Sequence, residues 1–374
     1  MRYAVIMAGG SGTRLWPMSR SGLPKQLIPL IDGRSLLQIA MDRMGNLIAP
    51  EQVFICAGQT HRQPILDSIH ETDEDRYLGE PVGRDTLNAV GFATAVISKQ
   101  DPDAVIAIFT ADHIIEPVDD FQQIVARGYQ LAEARPDTLV TFGIRPTHPA
   151  TGYGYLELGQ TVDQAASPDR KDDSSPRVVN QFKEKPDEPT ARRYVAAGPD
   201  RYLWNSGMFV WQGQTLLRCI EQYEPANFNA LRQIANAWGT GSQAEVLERI
   251  YPALKKISVD YAVMEPASRD PDVTVAAVPM PLRWLDIGSW PAFAQTCYTD
   301  EDGNAVAAKQ HLTVDCRDSL LASSDPQHLV TAIGCDNLLI VHTPDATLVC
   351  RADRAEDIKK IHAMVSEKYG AERV

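Results

Sequence analysis

Gly9-Gly10-Ser11-Gly12-Thr13-Arg14-Leu15-Trp16-Pro17, with Pro24-Lys25-Gln26 close behind, is the stretch on which the reading of this chain turns. It follows the apolar run of residues 3–7, which is short and sharply bounded, as a buried strand would be. Glycines directly after a first strand let backbone N–H groups approach phosphate oxygens with no Cβ in the way. Arg14 adds a planar fork for phosphate, and Lys25 a compact point charge. The spacing is not that of a Walker A loop. It is not a dinucleotide fingerprint either, because Leu15 stands where the last glycine would fall. On the glycines alone, a plain strand-to-loop turn with a surface arginine stays open as a second reading.

Outward from this loop, apolar runs at residues 53–57, 104–109 and 138–143 read as strands, and helical spacing appears at 35–47, 85–99 and 121–134. Asp85 is a candidate N-cap for the second of these helices. Short apolar strands alternating with helices predict an α/β fold with a mostly parallel sheet covered on both faces. Ligands of such sheets bind outside the carboxyl ends of the strands, which places residues 9–14, the turn at Glu80 and Asp112 on one rim. Beyond Gly152 the pattern loosens. Residues 164–177 are polar and read as a solvated excursion, while 214–238 and 242–250 read as helices. Short strand-like pieces at 311–314, 338–342 and 347–350 lead to a charged helix over 355–369. The change of pattern predicts two units, 1–298 and 299–374.

Composition sets outer limits. Lys and Arg number 36 against 49 Asp and Glu, a formal charge of −13, which disfavours nucleic acid or an anionic membrane surface as partner. Clustered basic side chains can still make a local site for a small anion. The six cysteines are scattered without metal-like spacing, as expected of reduced thiols in a cytoplasmic protein. The N-terminal apolar run is too short for a signal peptide, and no run approaches the ~18 apolar residues of a membrane span.

Six further segments follow in order: Glu80-Pro81-Val82-Gly83-Arg84-Asp85-Thr86, Thr110-Ala111-Asp112-His113, Phe182-Lys183-Glu184-Lys185-Pro186, Asn205-Ser206-Gly207-Met208-Phe209, Asp260-Tyr261-Ala262-Val263-Met264-Glu265 and Asp286-Ile287-Gly288-Ser289-Trp290. With the glycine-rich loop, they make residues 1–290 resemble the bacterial-type mannose-1-phosphate guanylyltransferases, within the sugar-phosphate nucleotidylyltransferases. The resemblance implies a Rossmann-like, mixed, mostly parallel sheet flanked by helices, and a small C-terminal partial left-handed β-helix. It implies transfer of GMP from GTP to mannose 1-phosphate, Mg²⁺ as cofactor, and a homodimer. Longer members carry an added isomerase domain; the length here leads us to expect transferase activity alone.

The resemblance also distributes roles. Gly9, Gly10, Ser11, Gly12, Thr13, Arg14, Lys25, Glu80 and Asp85 are implied to bind the nucleotide. Arg14, Lys25 and Lys185 are implied to act in catalysis, and Asp112 and Asp286 to hold the metal. Gly152, Glu184, Lys185 and Asn205 are implied to bind the sugar phosphate. Such chemistry is physically sensible, since phosphoryl transfer asks chiefly for in-line positioning and charge neutralisation. One ionised Glu80 can accept from both N1–H and N2–H₂ of guanine and would be repelled by the carbonyls of uracil or thymine; the competing reading is a solvated turn residue before Pro81. Asp260 is a candidate supporting residue, His113 a hydrogen-bonding residue or a metal ligand, and Lys183 either a phosphate-side charge or a solvent-facing one. Another hexose 1-phosphate as substrate, a non-catalytic nucleotide-sugar sensor and a dinucleotide dehydrogenase are the competing functions.

Overall fold

The computed structural model describes residues 1–10, 12–69, 73–162 and 175–374. Ser11 and most of the expected excursion at 164–177 therefore lie outside the described residues. The first eleven strands among the described residues are β1 (Arg2–Met7), β2 (Val53–Gly58), β3 (Tyr77–Glu80), β4 (Val105–Thr110), β5 (His113–Glu116), β6 (Thr138–Ile144), β7 (Tyr155–Thr161), β8 (Arg177–Lys183), β9 (Tyr202–Gln212), β10 (Thr274–Pro279) and β11 (Arg283–Asp286). Nine form one sheet in the order β3-β2-β1-β4-β9-β6-β10-β8-β7, while β5 and β11 pair as a separate ribbon.

The first four strands of that order are parallel neighbours. β9 is antiparallel to both β4 and β6, β10 is parallel to β6, and β8 is antiparallel to both β10 and β7. Seven of the nine strands thus share one direction, as the sequence predicts, and only β8 and β9 reverse. Side chains alternate between the two faces of a strand. Tyr3 and Val5 accordingly enter one core, and Ala4 and Ile6 the other.

The helices follow their local chemistry. Ser35 and Gln38 form a capping box that starts the helix Leu36–Asp42. That helix stops short of the expected residue 47, because Arg43 turns inward and donates to the carbonyls of His113 (2.7 Å) and Thr110 (3.3 Å). Asp85 caps Thr86–Gln100 as predicted, accepting from Thr86 N at 2.8 Å. The helix expected over 214–238 is two, Gly213–Tyr223 and Pro225–Ala237. Pro225 lacks an N–H and forces Glu224 out of the helical region (φ −136°, ψ 63°), which makes the break. The last helix begins at Ile358, not 355, after a 3₁₀ segment, Ala352–Asp357.

The C-terminal region contains β12 (Tyr298–Thr299), β13 (Ala305–Ala307), β14 (Gln310–Val314), β15 (Leu320–Ser323), β16 (Leu329–Ile333), β17 (Leu338–Thr343) and β18 (Ala346–Arg351). β13, β15 and β17 stack in parallel in one sheet, and β14 and β16 in a second. Successive strands alternate between two parallel stacks, the pattern of a short solenoid. Its core is continuous with the glycine-rich loop: Leu15, Trp16 and Met18 are buried with Leu320, Leu339 and Ile358. No helix among the described residues is long and apolar enough to cross a membrane.

Because this core joins both regions, Leu339→Ala should destabilise the whole chain by about 2–5 kcal/mol. Urea unfolding followed by fluorescence and circular dichroism should remain one coincident transition; two separated transitions would contradict a shared core.

Candidate active site

The carboxyl ends of β1, β3 and β4 deliver the glycine-rich loop, Glu80 and Asp112 to one rim of the sheet. Gly12 sits at φ +61°, and a Cβ there would lie 2.9 Å from Cβ of Lys25, so the loop closes onto the lysine only with glycine. Gln26 Nε2 donates to Gly9 O at 2.5 Å, and Ser19 Oγ to Gly12 O at 2.8 Å, fixing the loop from behind.

Asp112 occupies the two-residue connection between β4 and β5. The β5–β11 ribbon then sets Asp286 opposite His113, and Ile287 N donates to Asp112 O at 2.9 Å. The Asp286–His113 pairing spans 173 residues of sequence. The ligand atoms of Asp112, His113 and Asp286 lie within 4.8 Å of one another. His113 is committed on one side, because Trp284 Nε1 donates to its Nδ1 at 3.2 Å.

The two carboxylates are electrostatically unequal. Burial would raise Asp112, but Lys25, whose Nζ stands 2.5 Å from Oδ2, outweighs it and holds the group below the usual carboxylate range. Asp286 is pushed up by burial and then by Asp112. Arg14 lies on the same side. A Cβ on Gly288 would be 3.0 Å from Arg14 Nη2 and 3.3 Å from Asp286 Oδ1.

Glu80 is buried rather than solvated. Tyr251 Oη donates to its Oε1 at 2.6 Å, and a Cβ on Gly9 would be 3.9 Å from its Oε2. Burial raises its pKa, against the opposing Tyr251 hydrogen bond. Asp85 is exposed, with φ +68°, and its carboxylate serves the helix N-terminus.

A cavity of about 150 Å³ gathers Gly152, Glu184 and Asn205 with Asp260, Trp284 and Asp286. Asn205 is fixed at both ends: its Oδ1 accepts from Thr141 Oγ1 (2.7 Å), and its Nδ2 donates to Asp260 Oδ1 (2.9 Å). Burial, followed by the neighbouring Glu184, raises Asp260 to about 7. Burial also raises Glu184, against its pairing with Lys185 Nζ at 3.0 Å. Lys185 is held at φ +44°, an uncommon conformation for a side-chain-bearing residue. Lys183 is half-exposed and pairs with Glu265 at 3.6 Å.

Every candidate cation is therefore paired: Arg14 with Glu356, Lys25 with Asp112, and Lys185 with Glu184. Tyr251 and Glu356 were not expected from sequence. Each is brought in across 171 or 342 residues, and neither lies in a segment with a local signal.

The nucleotidyl transferase family matches residues 3–303, and the MannoseP isomerase/GMP-like beta-helix domain matches residues 309–364. The chain is 35% identical to a mannose-1-phosphate guanylyltransferase of Klebsiella pneumoniae, covering 100% of this chain and 75% of that protein. It is 36% identical to one of Escherichia coli, covering 96% and 73% respectively. A Thermus thermophilus crystal structure, described as a mannose-1-phosphate geranyltransferase, superposes with a TM-score of 0.81 at 28% identity. That superposition covers 98% of this chain and 99% of the other.

Asp260 supplies a pH-dependent test. Its folded pKa of about 7 stands above the ordinary 3.8, so between those values the native state binds the extra proton and stability falls as pH rises. Asp260→Asn should flatten the melting-temperature profile across pH 4–7 and gain most, relative to wild type, above pH 7. An unchanged slope would show that the group is not buried as described.

Proposed function

The chain belongs to the nucleotidyl transferase family and, within it, to the mannose-1-phosphate guanylyltransferases, and from that premise we propose how its residues transfer GMP from GTP to mannose 1-phosphate, giving GDP-mannose and pyrophosphate. The observation that carries this reading is the shared carboxylate. Asp286 lines the cavity that holds Glu184, Asn205 and Asp260, and it also belongs to the cluster with Asp112 beside Arg14. A hexose in that cavity has its phosphate directed to the rim where a nucleotide's phosphates would lie.

In this reading Glu80 accepts from guanine N1–H and N2–H₂, its ionised form being supported by the Tyr251 hydroxyl. The backbone of Gly9, Gly10, Gly12 and Thr13 cradles the phosphates, and Asp85 keeps the adjacent helix start in place. Glu184, Asn205 and the Gly152 turn read the hexose hydroxyls, with Asp260 fixing the Asn205 amide. Lys185 orients the sugar phosphate. A phosphate oxygen of mannose 1-phosphate attacks the α-phosphorus of GTP in line. The new P–O bond forms as the bond to the β-phosphate oxygen breaks, and the electron pair leaves with pyrophosphate. Lys25 exchanges Asp112 for phosphate oxygens, and Arg14 offers the Nη2 edge that lies on the Asp286 side, so that both neutralise the charge on the triphosphate and the leaving group.

The donor set fits a hard divalent cation, which we assign as Mg²⁺. Asp112 and Asp286 are two carboxylates, and Mg²⁺ favours one or two of these, completed by phosphate and water oxygens. When bound, it would supply positive charge for the α-phosphate oxygens. His113 fits a hydrogen-bonding role, given the Trp284 N–H on its Nδ1.

The remaining assignments are the division into units 1–298 and 299–374, a homodimer, and a cytoplasmic location. For the first, β12 begins at Tyr298 and pairs with β13. For the second, Leu312, Val314, Leu329 and Ile333 are exposed on the outer face of β14 and β16, an apolar face suited to a second copy. For the third, all six cysteines are free thiols.

Initial rates with GTP, ATP, UTP and dTTP against mannose 1-phosphate and glucose 1-phosphate test the reading. GTP with mannose 1-phosphate should give the highest kcat/KM, and a preference for glucose 1-phosphate or another base would overturn it. Glu80→Gln should lower kcat/KM for GTP about 10- to 100-fold, the scale of hydrogen bonds to a charged group, and narrow the preference over ATP. An unchanged base preference would remove Glu80 from the reading.

A further inference from the structure

The C-terminal unit reaches the glycine-rich loop directly. Trp16 Nε1 donates to Arg373 O at 2.9 Å, and the N–H and hydroxyl of Ser21 both donate to Val374 O, at 3.0 and 2.8 Å. Arg20 pairs with Asp345 at 2.8 Å. Glu356, in the 3₁₀ segment before the last helix, accepts from Arg14 Nη1 at 2.8 Å through Oε1. Its Oε2 accepts from Lys359 Nζ at 3.3 Å. The Arg14 hydrogen bond holds the Glu356 carboxyl below the usual range, so it is ionised at neutral pH.

A guanidinium is a rigid planar fork with five N–H groups. Here Nη1 is tied to Glu356, while Nη2 lies beside Gly288 on the Asp286 side. One arm is anchored from outside the rim, and the other faces the carboxylate cluster. The Arg14 side chain is 36% exposed, so without an anchor it would sample several rotamers. A carboxylate acting as a competitor of phosphate would sit on the inward arm; Glu356 sits on the outward one.

Resting on the guanylyltransferase reading, we propose that Glu356 is a positioning residue: from the C-terminal unit it orients the Arg14 guanidinium so that its free edge meets the triphosphate of the incoming nucleotide. The C-terminal unit is then part of the active site's construction. An exposed ion pair contributes little to folding, so the effect falls on the nucleotide step.

A double-mutant cycle on the full chain tests this, with Glu356→Gln, Arg14→Ala and the double variant, and with melting temperature measured alongside. Glu356→Gln should melt within about 2 °C of wild type and raise KM for GTP about two- to fivefold, the scale of losing an exposed pair. KM for mannose 1-phosphate should not change. Glu356→Asp, which keeps the charge, should recover most of the loss. In the Arg14→Ala background, Glu356→Gln should have no further effect. Equal losses in both backgrounds, an unchanged KM, or a lower KM for GTP would each overturn the proposal. Wild-type turnover decides the functional reading separately. Should another nucleotide prove to be the substrate, the same cycle run with that nucleotide still tests Glu356.

Discussion

The whole site depends on one electrostatic constraint: three cations and the surrounding carboxylates must coexist on a partly buried rim before any substrate arrives. Lys25 has only 10% of its side chain exposed, and Asp112 at 2.5 Å supplies the counter-charge that a buried cation needs. The same pairing logic holds Lys185 on Glu184 and Arg14 on Glu356. Each cation is thereby fixed in direction before a substrate's phosphates meet it. The acidic surplus of the chain is in part the means by which the basic groups are kept in place.

The topology explains how such a rim is assembled from distant residues. Four parallel neighbours present their carboxyl ends together, which brings the glycine-rich loop, Glu80 and Asp112 into one neighbourhood. The antiparallel β5–β11 ribbon adds Asp286, and β9, reversed between β4 and β6, carries Asn205 to Thr141. The C-terminal solenoid closes the far side by burying Leu15, Trp16 and Met18. Loop, sheet and solenoid thus share cores, and the position of Arg14 depends on all three.

Much of this is written locally in the chain. The apolar runs of β1, β2, β4 and β6 stand out because their strands are buried on both faces, and Ser35 and Asp85 announce helix starts through capping chemistry. The signature segments point to Asp112, Asp286, Glu184 and Asn205, and the structure brings all four together around the cavity and the carboxylate cluster. What escaped was decided by tertiary contact. Arg43 ends its helix early by turning to the carbonyls of His113 and Thr110, and β15 and β16 are short strands whose pairing partners lie a full coil away. Tyr251 and Glu356 carry no local mark, because their importance lies only in the residues they touch, Glu80 and Arg14. The helix break at Pro225 is the exception, since proline marks it within the sequence itself.

Every cation of the rim already faces a carboxylate, so a polyanionic nucleotide should bind well only in company with a divalent cation. Calorimetric titration of GTP into the wild-type chain, with Mg²⁺ and with Mg²⁺ removed by chelation, tests it most directly. Binding should be at least about tenfold tighter with Mg²⁺, since without a cation the Asp112 and Asp286 carboxylates beside a triphosphate cost on the order of 1–2 kcal/mol even at a well-screened site. Equal affinity with and without Mg²⁺ would contradict it.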